Sequence, residues 1–249
     1  GGLTVDGERL LLANVRMLSN EAGGKGGGLF VPSGVVTITG DTSLFTGNTA
    51  VSGGGVYNVS GHVNVAPSVT WDANEAAEGG GLYQENASGG VLWLTGVRVG
   101  GNQADRGAGL YAEVGSAILT DGGTRFYRNA ARQNGGALYG GGDSFVVQNT
   151  LIYTNTAYLR GAGIYLTGSG APHVRFNTLF GNAAEQDGGG VYIDQGTPRV
   201  HDNIFDANRA SRGSALFDSA VTDVNLHHND YWPGSADSQV DGAPGFDRG

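Results

Sequence analysis

A segment of about 27 residues recurs eight times along this chain, and any fold it adopts must be built from that unit. Each copy opens on Asn, carries Ala two positions later, passes through a glycine-rich stretch and ends on an aliphatic residue followed by an aromatic one. The copies start at Asn20, Asn48, Asn74, Asn102, Asn129, Asn155, Asn182 and Asn208, in steps of 28, 26, 28, 27, 26, 27 and 26 residues. Such a unit is too short for a typical propeller blade and shows no paired-helix pattern. Its patterned segments alternate instead: VVTIT from Val35, HVNVA from His62, VLWLT from Val91, SFVVQ from Ser144 and PHVRF from Pro172, bounded by Gly, Asn or Asp.

Three short strands and three bends per repeat describe one turn of an all-β, right-handed parallel β-helix. Parallel strands stack about 4.8 Å apart, so about nine coils make a solenoid roughly 43 Å long. The prediction is one domain over 1–249, with a partial coil at 1–14, repeated coils over 15–228 and a closing segment at 229–249.

Each repeated residue has a mechanical role in that coil. Gly stands three before the aliphatic in every copy (Gly26, Gly53, Gly79, Gly107, Gly135, Gly161, Gly188, Gly213), which predicts a corner with positive φ. Ala22, Ala50, Ala76, Ala104, Ala131, Ala157, Ala184 and Ala210 suit a tight buried bend. The eight Asn should form a ladder, each amide donating to the next coil. Asn149, Asn177, Asn203 and Asn229 form a second such column. Leu29, Val56, Leu82, Leu110, Leu138, Ile164, Val191 and Leu216 stack inside.

Composition removes several functions. The net charge of −9 disfavours nucleic acid and anionic membranes as partners. The absence of Cys removes disulfides, thiolate metal sites and cysteine nucleophiles. No apolar run reaches the ~20 residues of a membrane helix, so direct membrane insertion is not expected. The opening GGLTVDGERL does not read as a signal peptide, and the expectation is a mature product or a piece of a longer chain. The glycine runs are not followed by Gly-Lys-Ser/Thr, which excludes a phosphate loop. No cofactor is expected.

Three constellations are candidates for function. Phe30, Tyr57, Tyr83, Tyr111, Tyr139, Tyr165, Tyr192 and Phe217 each follow an inward aliphatic, so alternation points them outward. By the same parity the Gly or Ala before each aliphatic faces out, giving a flat track beside a stripe of rings. The stripe is either sheet-stabilising stacking or a lateral binding face for glycan or protein.

The second constellation lies on three consecutive coils, where His173, Arg175, Arg199, His201 and His227 should face outward with Asp202 and His228 beside them. Counted from the second Asn column, Val147 and Phe145 belong to the same outward positions and Val146 to the inward one. Such a cluster is a solvated strand face, an Arg-lined site for a sulfated or uronate sugar, or a lyase-like site with Arg175 neutralising a carboxylate and His201 as base. Strong zinc spacing and reinforcing carboxylates are lacking, so no metal is expected there.

The third is Glu85 and Glu113, two residues after the column Tyr on neighbouring coils. They are either solvated surface groups or a glycosidase pair, and such proximity would raise one pKa.

Gly135-Gly136-Ala137-Leu138 and the Phe-x-x-Asn segments Phe45 to Asn48, Phe126 to Asn129 and Phe205 to Asn208 resemble the repeat motifs of bacterial polymorphic outer-membrane proteins. Looser forms start at Met17, Trp71, Val99, Ile152 and Leu179, so the resemblance spans residues 15–220. Most copies depart from the motif by having Gly where the family has Ala. The resemblance implies a right-handed β-helix at the bacterial surface or secreted, often as an autotransporter passenger, and adhesion more than catalysis. The expected function is therefore an adhesin-like scaffold binding glycan or partner protein along its side. A polysaccharide lyase or hydrolase is the alternative, disfavoured because steps of 26 to 28 leave little room for cleft walls. A third reading is a spacer within a longer chain or an end-to-end assembly.

Overall fold

Each strand finds its partner one repeat away, so the period converts directly into stacked parallel sheets. The computed structural model describes residues 1–219 and 224–232, with the backbone of 240–241. Ten strands stack in the first face, from Leu3–Thr4 and Leu29–Val31 to Leu216–Asp218 and Val240–Asp241. Nine form the second, from Arg9–Ala13 to Asn225–His227, and nine the third, from Arg16–Leu18 to Asp230–Tyr231. A short fourth sheet, from Gln103–Arg106 to Ala183–Ala184, lines the corner between the third and first faces. Register follows the repeat: Leu82 pairs with Val56 on one side and Leu110 on the other. The chain is thus an all-strand parallel solenoid among its described residues. Residues 1–14 contribute the opening strands of the first two faces. Of the closing segment, 233–239 and 242–249 lie outside the described residues.

The corner glycines carry φ between 57° at Gly213 and 70° at Gly135. A Cβ on Gly53 would sit 2.5 Å from the Val56 carbonyl oxygen and 2.8 Å from the Tyr57 Cβ. Both handedness and space therefore require glycine there.

Beside that corner runs the Asn ladder. Asn129 Oδ1 accepts the Asn102 backbone N–H at 3.1 Å and its Nδ2 at 2.9 Å. Asn129 Nδ2 in turn donates to Val99 O and to Asn155 Oδ1, both at 2.9 Å. The pattern runs from Asn20 to Asn208, and the six Asn between them have no solvent exposure. Four bonds per amide leave a fully paired polar column in a buried bend.

Two expectations of parity fail. The Gly or Ala before each aliphatic faces inward, so the flat outer track does not exist. A Cβ on Gly55 would lie 2.6 Å from Trp71 Cδ1, and one on Gly109 or Gly190 2.9 Å from Cδ1 of Phe126 or Phe205. The chain is turning a corner at these positions, so two successive residues point into the core. In four of the coils Gly leaves room for a large core residue, Phe45, Trp71, Phe126 or Phe205, although Gly81 and Gly163 face only Val99 and Leu179.

The second Asn column starts one residue later than expected. Thr150, not Asn149, occupies its first position: the Thr150 N–H donates to Asn177 Oδ1 at 3.0 Å, and Asn177, Asn203 and Asn229 continue the ladder. Asn149 takes the left-handed corner conformation, with φ 46°, and its Nδ2 donates to Asp121. The count in that coil is therefore shifted by one. Val147 aligns with Val174 and is buried, Phe145 is fully buried, and Val146 faces outward.

Candidate functional site

The aromatic column of the first face is closed by its own neighbours. From Tyr57 to Phe217 successive rings stack with centroids 4.4 to 5.6 Å apart and planes within 21°. Each ring thus presents its faces to the rings of adjacent coils. The residue before each corner glycine forms a second column over their edges: Lys25, Ser52, Glu78, Arg106, Asn134, Arg160, Asp187 and Arg212, paired coil to coil. Lys25 Nζ lies 4.5 Å from the Tyr57 centroid, and the Arg106 guanidinium 5.4 and 5.7 Å from those of Tyr111 and Tyr139. Arg160 and Arg212 cover Tyr192 and Phe217 and clamp the buried Asp187 between them. Tyr57, Tyr83, Tyr165 and Tyr192 are buried, and Tyr111 and Tyr139 half-buried. The expected open stripe is therefore corrected: from Tyr83 to Tyr192 both faces of every ring are covered by the neighbouring rings.

Glu85 and Glu113 do not form a proton-sharing pair. Glu85 accepts the Tyr57 hydroxyl at 2.6 Å and Lys25 Nζ at 2.9 Å. Glu113 accepts the Tyr83 hydroxyl at 2.7 Å and the Asn86 backbone N–H at 2.9 Å. The Tyr57 hydrogen bond, with help from Lys25, holds the Glu85 carboxyl below the usual carboxylate range, the reverse of what a general acid needs. Burial and Glu85 together push the Tyr57 hydroxyl up to about 12, while burial and Glu113 raise that of Tyr83.

The His/Arg positions of the second face do alternate outward around the buried Val174 and Val200, and register joins Arg175 to His201 and His201 to His227. Arg175 turns toward the preceding coil, donating twice to Gln148 Oε1 at 3.0 and 2.9 Å. Partial burial, then the nearby Arg199 and Arg175 charges, lower the His173 pKa. Asp202, expected beside the columns, brings a carboxylate into the cluster. With φ 55° at the corner, it places Oδ2 2.7 Å from His201 Nδ1.

The recess that the repeat pattern did not disclose lies on the third face. Arg98, Arg125 and Arg128 line a cavity of about 300 Å³ together with Tyr127 and Tyr153. Arg98 and Arg125 are register partners on adjacent strands, and like charges so placed repel. None of the three guanidinium groups makes a hydrogen bond or ion pair among the described residues, and all three arginines are exposed. Tyr127 stacks on Tyr153 at 5.4 Å and lies flat over Gly100, where a Cβ would come 2.3 Å from its Cζ. Burial, then Asp72, raises the Tyr127 pKa, so its hydroxyl remains a donor at neutral pH. A signal was present in the sequence: Arg98 and Arg125 are one 27-residue period apart.

Three guanidiniums beside tyrosine hydroxyls, with no carboxylate among the lining residues, can hold a sulfate or carboxylate through paired N–H donors. Among known proteins, a model of the right-handed β-helix region matches residues 80–237, more than half of the chain. The repeat of Chlamydia polymorphic membrane proteins matches residues 42–59. No curated protein and no solved structure matches the chain. The all-parallel coils and the long family match agree, and the chain belongs to the right-handed β-helix family.

Proposed function

We propose that this chain is an adhesin-like scaffold of the bacterial surface that binds an acidic glycan in the recess of its third face. The surface context rests on the polymorphic membrane protein repeat at residues 42–59. The observation that carries the ligand class is the set of three arginines without a carboxylate partner on a protein of net charge −9. Mutually repelling cations persist on a strand pair where an external anion relieves the repulsion. Sulfated or uronate sugars supply such anions, and their hydroxyls suit the edges of Tyr127 and Tyr153.

The test is binding of the purified chain to sulfated, uronate and neutral oligosaccharides, with new reducing ends and unsaturated sugars measured in the same samples. The expected result is saturable binding of the acidic sugars alone, weakened by salt and lost in Arg98→Ala/Arg125→Ala. Equal binding of neutral sugars, or an unaffected double variant, overturns the proposal. Release of cleavage products establishes the enzyme reading instead.

A further inference from the structure

The left-handed corner between the second and third faces repeats once per coil, at Asn149, Phe176, Asp202 and His228. In the last two of these coils the corner residue follows an outward His, giving His201-Asp202 and His227-His228. Parallel register places His201 directly against His227. Four side chains with metal-ligating atoms thereby gather at one corner.

Their separations fit a small coordination sphere. One ligand atom from each of His201, Asp202 and His227 falls within 4.8 Å of the others. His201 Nδ1 is 2.7 Å from Asp202 Oδ2, and His228 Nδ1 is 3.1 Å from His227 Nδ1 and 3.6 Å from Asp202 Oδ1. A tetrahedral ion with bonds of about 2.0–2.1 Å sets its ligands about 3.3 Å apart. Two imidazole nitrogens facing each other at 3.1 Å have that spacing. The His201 and His227 rings are parallel at 4.6 Å, so convergence needs ring rotation only. His227 and His228 are exposed and free to make it. The Phe176 ring packs edge-on to His201 at 6.1 Å and restrains the half-buried member. The nearest competing cation, Arg175, is drawn away to Gln148.

We propose that His201, Asp202 and His227, with His228 beside them, bind one divalent transition-metal ion of the zinc, copper or nickel class. Imidazole and carboxylate ligands favour these ions over calcium or magnesium, which require mostly oxygen donors. Three protein ligands leave a position open to water or to an external ligand. The site is independent of the arginine recess and stands whether or not that recess binds glycan.

The experiment is calorimetric titration of the full chain with Zn²⁺ alone, with far-ultraviolet circular dichroism confirming that each variant retains the solenoid. One ion per chain is expected. Asp202→Asn and His227→Ala should each weaken binding at least about tenfold, the lower end of what loss of even an outer-shell partner costs. His62→Ala, which removes an exposed histidine of the same face, should leave binding unchanged. Millimolar Ca²⁺ or Mg²⁺ should not compete. Absence of saturable binding, affinity in the two site variants equal to that of the unmodified chain, or an effect of His62→Ala as large as theirs overturns the assignment.

Discussion

The first and third faces use the same residue types to opposite ends. Both stack tyrosines along the solenoid, and both set cationic side chains beside them. On the first face Arg106 meets Glu78, Arg160 and Arg212 share Asp187, and the Tyr57 and Tyr83 hydroxyls meet Glu85 and Glu113. On the third, Arg98, Arg125 and Arg128 surround Tyr127 and Tyr153 with no carboxylate in contact. A stack whose charges are answered internally is part of the framework. A stack whose charges are left over is where the molecule can answer to something else. Aromatic repetition by itself does not identify a binding face; the bookkeeping of partners does.

The change expected to break both regions together is Asn129→Ala. Asn129 lies between the recess residue Arg128 and the corner that starts the first face. Its loss strands the buried Asn102 N–H, takes one of two acceptors from Asn102 Nδ2, and removes the side-chain donor of Val99 O and Asn155 Oδ1, the latter keeping only the backbone N–H of residue 129. At about 1–3 kcal/mol for each unsatisfied buried group, stability should fall by about 4 kcal/mol, read from urea unfolding. A loss below about 1 kcal/mol would mean that water enters the ladder. The sharper contrast is between two arginines. Arg125→Ala should lower affinity for a sulfated oligosaccharide at least about tenfold, equal to about 1.4 kcal/mol, while stability stays within about 0.5 kcal/mol. Arg106→Ala should do the reverse, destabilising by about 1 kcal/mol through lost contact with two rings and leaving sugar binding intact. If both variants behave alike, the distinction between the two faces fails.

What was legible in the sequence was whatever the repeat imposes on every coil. The Asn column, the corner glycines and the aliphatic stack each occur eight times, so chance variation at one coil does not obscure them. Single-coil irregularities were not legible. Asn149 resembles a ladder residue, yet the one-residue shift that gives its place to Thr150 moves Val147 and Phe145 inward. The inward glycines before each aliphatic were misread because strand parity does not survive a corner, as Gly55 against Trp71 shows. The recess escaped because its members belong to two different repeat positions: Arg98 and Arg125 share one, whereas Arg128 follows three residues later. Asp202 was placed beside the cluster by its position, but its 2.7 Å approach to His201 was not legible, because alternation says nothing about a side chain on a left-handed residue.

A smaller effect separates the shape of the recess from its charge. In Gly100→Ala the new Cβ would meet the Tyr127 ring at 2.3 to 2.7 Å, and the ring, being the far end of a flexible side chain, should tilt away. The three guanidiniums remain. Affinity for the sulfated sugar should fall only about threefold, less than for Arg125→Ala, with stability reduced by about 1 kcal/mol or less. Unchanged affinity, measured by the same titration, would assign recognition to the arginines alone.

The smallest expected effect is a difference in pH response. Glu85 is ionised more easily in the folded chain than in the unfolded one, because the Tyr57 hydroxyl and Lys25 bind its charged form. A lowered folded pKa contributes stability above the unfolded value, near 4.5, and that contribution disappears as pH falls through the folded value. Tyr57 has the opposite sign: raised from 10.0 to about 12, it contributes stability below pH 10 that disappears as pH rises toward 12. Glu85→Gln should therefore flatten the acid end of the stability profile and only soften the alkaline end, where burial still raises Tyr57. No carboxylate or histidine lines the recess, so sulfate binding should stay level between about pH 5 and 8 in wild type and Glu85→Gln alike. Unfolding followed from below pH 4.5 to above pH 10, beside sugar binding between about pH 5 and 8, distinguishes the two faces by their partners. Coupled profiles would show that the first face, despite its closed stack, communicates with the third.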